Sequence, residues 1–155
     1  MINLPQEALE YLNSQRLMSI ATFDNEPWIA SVYFVIDDDL NLYFISSPKT
    51  KHAQAIKSNP KVAVSIAASS QLITDKKVGV QITGTASEVG RIESIQWFFK
   101  MFNKLNPGLS EILNFDNYTK KVISSRVFKV EPKKIQFFHE GLYEDSEVEA
   151  TMMFE

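Results

Sequence analysis

The sequence contains no cysteine. This absence excludes disulfide bonds, a thiolate nucleophile, and zinc or iron–sulfur sites held by cysteine. Histidine is scarce as well, with only His52 and His139, so we expect no metal site. Basic residues do not predominate: 16 lysines and arginines face 19 aspartates and glutamates, which gives a formal net charge of −3. We therefore expect no nucleic-acid partner bound through bulk positive charge.

Long apolar runs are also missing. No stretch approaches the roughly 20 apolar residues of a membrane-spanning helix. The first residues do not combine a basic start with an apolar run, as a signal peptide does. We therefore expect a cytoplasmic protein with no membrane partner. The patterns G-x-S-x-G, H-E-x-x-H and the phosphate-binding P-loop are absent too, so the sequence leaves the catalytic residues unknown.

What remains is the composition of a folded globular protein, with 45% hydrophobic and 23% charged residues. The length of 155 residues suits one domain. We predict that domain over residues 1–155, with its core at about 5–140 and an acidic tail over 143–155.

Segments rich in β-branched and aromatic residues alternate with short turns along most of the chain. The predicted strands are Leu17–Phe23, Trp28–Ile36, Leu42–Ser46, Lys61–Ala68, Val78–Val89, Arg126–Val130 and Lys134–Phe138. Helical spacing of apolar residues predicts helices over Pro5–Gln15, Lys51–Ser58 and Arg91–Asn103, with a short helix and loop in Leu109–Tyr118. Many antiparallel strands in a small chain favour a closed or nearly closed barrel, because closure hides the strand edges. The predicted fold is therefore mainly β, an antiparallel barrel with inserted helices.

The segment from Ser46 to His52 combines hydroxyls, lysines and an imidazole where a strand passes into a helix. A helix start exposes unpaired N–H groups and the positive end of the helix dipole, and so attracts a phosphate. In this interpretation Thr50 donates a hydrogen bond, while Lys51 and His52 supply positive charge. In the alternative interpretation Thr50 is an N-cap and the lysines are ordinary surface residues. The residues of the segment leave both interpretations open.

Several segments follow one another in a characteristic order. They are Trp28–Val32, Leu42–Ser46, Thr50–Ala53, Asn59–Val62, Gly79–Gly84 and Phe128–Ile135. Their order and spacing, which extend over most of residues 5–140, resemble the FMN-binding split barrels related to pyridoxamine 5'-phosphate oxidase. The short, general-stress-type branch of that family is the nearest in form. The resemblance implies a six-stranded split barrel that works as a homodimer with FMN at the subunit interface.

The resemblance also implies where FMN would bind. Its phosphate would lie at Thr50, Lys51 and His52, the place that the helix start already favours. Other cofactor-binding residues would come from a flavin-lining strand, from the end of the next strand and from a glutamine on the long strand. They are Ala30, Ser31, Val32, Tyr33, Ile45, Ser46 and Gln81. Since His52 replaces the family's more usual second lysine or arginine, we expect FMN affinity to fall as pH rises through its pKa.

The resemblance implies an FMN-dependent oxidoreductase whose substrate the sequence does not identify, with NADH or NADPH as a candidate electron donor. The flavin itself exchanges hydride or electrons, and the protein binds, orients and tunes it. Two departures indicate that the chain is not a true pyridoxamine 5'-phosphate oxidase. Ala30 stands where that oxidase has an arginine, and Val148–Glu155 lacks its substrate-binding segment.

Two other functions stay open on the sequence. The protein could bind or sense flavin or haem without turnover, and His52 or His139 would then be the haem ligand. It could also bind single-stranded nucleic acid by stacking bases on strand residues such as Tyr33 and Tyr43. The net negative charge argues against this last function.

Overall fold

The computed structural model describes residues 3–142 and 150–154. The helices in these residues are α1 (Leu4–Asn13), α2 (Lys51–Ser58), α3 (Ile92–Leu105) and α4 (Phe115–Thr119). The strands are β1 (Leu17–Asp24), β2 (Glu26–Ile36), β3 (Leu42–Ser46), β4 (Lys61–Ile66), β5 (Val78–Glu88), β6 (Arg126–His139) and β7 (Ala150–Met153). Predicted helices and strands have counterparts at nearly the same positions, with two differences in the last third of the chain.

Six strands close into an antiparallel barrel. The sheet order is β3-β2-β1-β4-β5-β6-β7, and a further pairing of β3 with β6 closes the ring. Successive side chains of a strand point to opposite faces. In β4, for example, Val62, Val64 and Ile66 are buried while the residues between them are exposed. The predicted mainly β barrel with inserted helices is confirmed.

The two predicted closing strands are one continuous strand, β6, and the prediction of a break was wrong. The break was placed at Glu131 and Pro132, since a proline cannot donate to the strand ladder. The structure accommodates Pro132 opposite Gly84, where the register of β5 and β6 shifts between Thr83 and Gly84. The extra residue is Lys133, which lies between the partners of Thr83 and Gly84, so β6 contains a bulge there and continues through it.

The predicted acidic tail over 143–155 contains a strand. β7 pairs with β6, placing Met152 opposite Ile135 and Met153 opposite Lys134. Residues 143–149, with most of the acidic side chains of the tail, lie outside the described residues.

The described residues form two apolar cores. The barrel interior holds fully buried side chains such as Phe34, Phe44 and Phe137. The second core lies outside the barrel wall, where α3 and α4 cover the outer side of β2, β3 and β6. It is composed of Val35, Tyr43, Ile95, Phe98, Phe99, Phe102, Tyr118 and Val127. Helices therefore cover one side of the barrel, while the outer faces of β1, β4 and the first half of β2 stay exposed.

Helix α2 packs against β1 and β2 and contributes Ala53 and Ile56 to the barrel core. Its start is thereby fixed beside the beginning of β2. Among the described residues, no helix has the length and apolarity needed to cross a membrane.

Candidate functional site

The candidate site begins where β3 ends and α2 starts. Thr50 is the N-cap of α2, and its hydroxyl accepts a hydrogen bond from the Ala53 N–H at 3.3 Å. The same hydroxyl donates to the Ser47 carbonyl at 2.8 Å. The N-cap interpretation of Thr50 is therefore correct. It does not exclude a phosphate site, because a capped helix start still presents first-turn N–H groups and a positive dipole end.

His52 points inward and is 8% exposed. Its Nε2 lies 2.7 Å from the Ser46 hydroxyl and 3.3 Å from the Thr50 hydroxyl, and these two hydroxyls are themselves 3.3 Å apart. Burial lowers the pKa of His52, so its imidazole is mainly neutral at pH 7. His52 therefore orders the turn between β3 and α2 rather than adding a full positive charge to it. Any dependence of phosphate binding on His52 protonation is expected at a lower pH than for a free histidine.

Lys51 points outward and carries the positive charge of the site. Its ammonium forms an ion pair with the Glu26 carboxylate and lies over the Trp28 ring, 4.1 Å from the ring centroid. Both partners lie at the start of β2. The Trp28 ring therefore lies against the start of α2. Lys51 remains 45% exposed.

The predicted flavin-lining residues of β2 alternate between two faces. Val32 points into the barrel and Ala30 packs against the same core. Ser31 and Tyr33 point outward, and Tyr33 is 53% exposed. An outward-facing pair of this kind is available to a ligand, while Ala30 and Val32 present only their backbone.

The predicted residues of β3, Ile45 and Ser46, are half-buried at the end of that strand. Ile45 packs against the second core, and Ser46 hydrogen-bonds to His52. Since β3 pairs with β2 and leads into α2, the structure brings these residues to one region with Thr50 and Lys51.

Gln81 is not part of that region within one chain. It is exposed on β5, opposite Ser65 on β4 and Gln136 on β6. β1 and β4 separate β5 from β2 in the sheet. Because β3 also pairs with β6, the six strands form a closed ring in which β5 lies on the opposite side from β2. Gln81 could therefore reach a flavin on β2 only from a second copy of the chain.

The outer side of β1 and β2 is unusually apolar for an exposed surface. Four large apolar side chains, each between 50% and 64% exposed, define what we call the β1–β2 face. They are Leu17, Phe23, Ile29 and Tyr33. Leu17 and Tyr33 are direct cross-strand partners, as are Phe23 and Pro27. A contiguous exposed apolar patch is typical of an interaction surface.

His139, the other imidazole, lies at the end of β6. Its Nδ1 accepts a hydrogen bond from the Leu142 N–H at 3.1 Å, and its ring meets Phe137 edge to face. This contact leaves Nε2 as the nitrogen for any external ligand. Among the described residues, no group of three or more histidine, aspartate or glutamate side chains is placed to hold a metal ion.

A sequence profile described as pyridoxamine 5'-phosphate oxidase matches residues 4–139. The chain belongs to the pyridoxamine 5'-phosphate oxidase family. The matched range contains the closed barrel, all four helices and every predicted cofactor-binding residue. The family membership inferred from segment order is therefore confirmed.

Similarity to individual proteins is weaker and, for the curated relative, covers only part of the chain. UPF0306 protein PM1958 of Pasteurella multocida (strain Pm70) is 30% identical over 86 residues, which are 54% of this chain and 57% of that protein. The match thus spans little more than half of the length of that relative.

Solved structures share the fold at low sequence identity. General stress protein 26 of Bacillus anthracis has a TM-score of 0.70 at 18% identity, covering 99% of this chain and 100% of its own. HutZ, the haem storage protein of Vibrio cholerae, has a TM-score of 0.69 at 18% identity, covering 89% of this chain and 96% of its own. At such identities the similarity establishes the fold alone.

Sequence reasoning did not identify Glu26 as part of this site. Glu26 lies 25 residues before Lys51, and no spacing rule connects the two residues. Only the packing of α2 against the β1–β2 hairpin brings them together. The one available signal was the acidic turn directly before Trp28.

Proposed function

We propose that this protein binds FMN, with the phosphate at the start of α2 and the flavin ring along β2 and the end of β3. The observation that supports this most directly is the position of Lys51. Its partly exposed ammonium stands at a helix start that Thr50 already caps and His52 already orders. Charge, helix dipole and first-turn N–H groups then act on a phosphate from the same side.

The residues of the site would have separate roles. Lys51 would supply the charge-assisted hydrogen bond to the phosphate. The cluster of Ser46, Thr50 and His52 would hold the turn in place and offer hydroxyl groups beside it. Ser31 and Tyr33 would line the flavin from the outer face of β2. When bound, the flavin supplies the hydride or electron transfer, so the chain needs no side-chain nucleophile.

We further propose a homodimer in which the β1–β2 face is covered by the partner subunit. That face exposes large apolar side chains, which a second copy would bury. The position of Gln81 supports the same arrangement, because Gln81 lies too far from β2 to contact the cofactor of its own chain. The small side chains around it, among them Ala63 and Ser65, would allow another surface to approach closely.

On this basis the protein is an FMN-dependent oxidoreductase acting in the cytoplasm on an unidentified small molecule, with NADH or NADPH as electron donor. The residues do not support pyridoxamine phosphate as the substrate. Ala30 offers no charge where the true oxidase carries an arginine, and it packs against the barrel core. The substrate would therefore be held without that contact.

Haem binding is the second candidate, and the geometry of His139 favours it. The Leu142 N–H holds Nδ1, which fixes the ring and leaves Nε2 for an axial bond. The existence of a haem storage protein on the same fold adds to this candidate. His52 is less suited, because Ser46 and Thr50 already occupy the surroundings of its Nε2.

The absorbance spectrum of the purified protein, before and after addition of FMN and desalting, tests both candidates. We expect flavin bands to be retained. The variant Lys51→Ala should bind FMN about 10- to 100-fold more weakly, the range for losing a hydrogen bond between charged groups. Lys57→Ala is the matched control, because it removes an exposed lysine from the last turn of the same helix.

The outcomes separate the candidates. An unchanged FMN affinity in Lys51→Ala, or equal losses in both variants, would contradict the phosphate site at α2. A protein that retains no flavin and shows a Soret band, lost in His139→Ala, would replace FMN by haem. If flavin is retained, its reduction by NADH or by NADPH would identify the electron donor.

A further inference from the structure

Glu26 pairs with Lys51, the side chain on which phosphate binding at the proposed site most depends. Its carboxylate is paired with the Lys51 ammonium, and the same ammonium lies against the Trp28 ring. A carboxylate and a phosphate are both oxygen anions that lysine binds in the same way. In the free protein, therefore, an internal carboxylate stands where the ligand's phosphate would bind.

Two features of the structure keep Glu26 and Lys51 close together. The hairpin from β1 to β2 turns through Asn25, whose φ of 65° is in the left-handed region, and this tight turn sets Glu26 directly opposite Asp24. At the other end of α2, the Asn59 side chain donates to the Phe23 carbonyl at 3.0 Å. The Lys51–Glu26 pair and the Asn59 hydrogen bond thus attach both ends of α2 to the β1–β2 hairpin. These contacts keep the helix, and Lys51 with it, beside Glu26.

The Glu26 side chain can nevertheless leave. It is 64% exposed, so rotation into solvent meets no packed core. The Trp28 ring would keep Lys51 in place after Glu26 has left, since cation–π contact does not use the ammonium's outward N–H groups. Exchange of one anion for another at Lys51 then requires only a side-chain rotation.

We propose that Glu26 is a competing internal anion that sets how strongly the site selects phosphorylated over unphosphorylated flavin. This inference rests on the proposed FMN site. To bind at Lys51, the ligand's phosphate has to displace the Glu26 carboxylate and then tolerate its negative charge close by. The cost falls on the phosphate alone, because the flavin ring lies against residues of β2 that Glu26 does not touch.

The test compares FMN with riboflavin, which lacks the phosphate, by quenching of flavin fluorescence. Glu26→Gln keeps the shape of the side chain and removes its charge. Removal of one negative charge within contact distance of a phosphate should tighten FMN binding about 5- to 30-fold. Riboflavin affinity should change less than twofold. Asp116→Asn is the matched control, because it removes an equally exposed carboxylate from the Lys120 ion pair at a remote helix.

Each result has a definite meaning. A gain for FMN alone, absent from Asp116→Asn, supports the inference. Equal FMN affinity of wild type and Glu26→Gln, or an equal gain for riboflavin or for Asp116→Asn, overturns the role of Glu26 and leaves the FMN site standing. Failure of both the wild type and Glu26→Gln to bind FMN overturns the site together with this inference.

Discussion

Replacement of Gly84 by alanine would test how the barrel accommodates Pro132. A Cβ on Gly84 would lie 2.3 Å from the Glu131 carbonyl oxygen, 3.0 Å from its carbonyl carbon and 3.1 Å from the Pro132 Cα. These are backbone atoms of β6, so no side chain can rotate out of the way. Relief requires β5 and β6 to separate locally at the register shift between Thr83 and Gly84.

The size of the effect follows from that geometry. Contacts this short are not seen for real Cβ atoms, and forcing extra volume into a packed region costs about 1–3 kcal/mol. Partial loss of neighbouring ladder hydrogen bonds adds about 1 kcal/mol. We therefore expect Gly84→Ala to lower the free energy of unfolding by about 2–4 kcal/mol.

Urea denaturation followed by tryptophan fluorescence measures this difference. Gly90→Ala is the matched control, since no atom lies within 4 Å of its added Cβ. The control should be neutral or slightly stabilising, by up to about 1 kcal/mol, because alanine restricts the unfolded chain more than glycine does. A Gly84→Ala protein within about 0.5 kcal/mol of the control would refute the close approach of β5 and β6.

Two further predictions concern His52 and the β1–β2 face. Burial lowers the folded-state pKa of His52 below its ordinary 6.5, so the unfolded chain takes up a proton first as pH falls. The free energy of unfolding should therefore decrease below pH 6.5 more steeply for wild type than for His52→Gln, by at most about 1.4 kcal/mol per pH unit; parallel curves would contradict this. In sedimentation equilibrium the wild type should have twice the chain mass of 17.7 kDa. Tyr33→Asp should shift it toward one chain and Ile112→Asp, an exposed apolar control, should not; a monomeric wild type would refute the proposed dimer.

Most of the fold could be predicted because its signals are local. Alternation of buried and exposed residues in β4, and the aromatic and β-branched run of β2, each identify a strand without reference to the rest of the chain. The start of α2 has a local signal as well, since Thr50 is a residue type that caps helices. Barrel closure follows from the number of antiparallel strands and the cost of free edges.

The prediction of a break in β6 was wrong because the contact that decides it is not local. Pro132 by itself predicts an interruption, and the feature that removes the interruption lies on another strand. Gly84 tolerates the proline because its missing side chain lets the Glu131 backbone approach. Nothing local in the sequence indicates that Gly84 and Pro132 face each other. Predicting one strand would have required the register of β5 against β6.

The same distinction explains which parts of the candidate site were foreseen. Thr50, Lys51 and His52 are consecutive, so a local rule about helix starts selects them together. That rule does not tell which of them faces solvent, and the structure divides their roles: His52 is turned inward to Ser46, and Lys51 outward to Glu26. Of Thr50, Lys51 and His52, Lys51 therefore carries the positive charge, and Glu26 already pairs with it in the free protein. If FMN binds at Lys51 as proposed, its phosphate competes with the Glu26 carboxylate, which is why the comparison of FMN with riboflavin is informative.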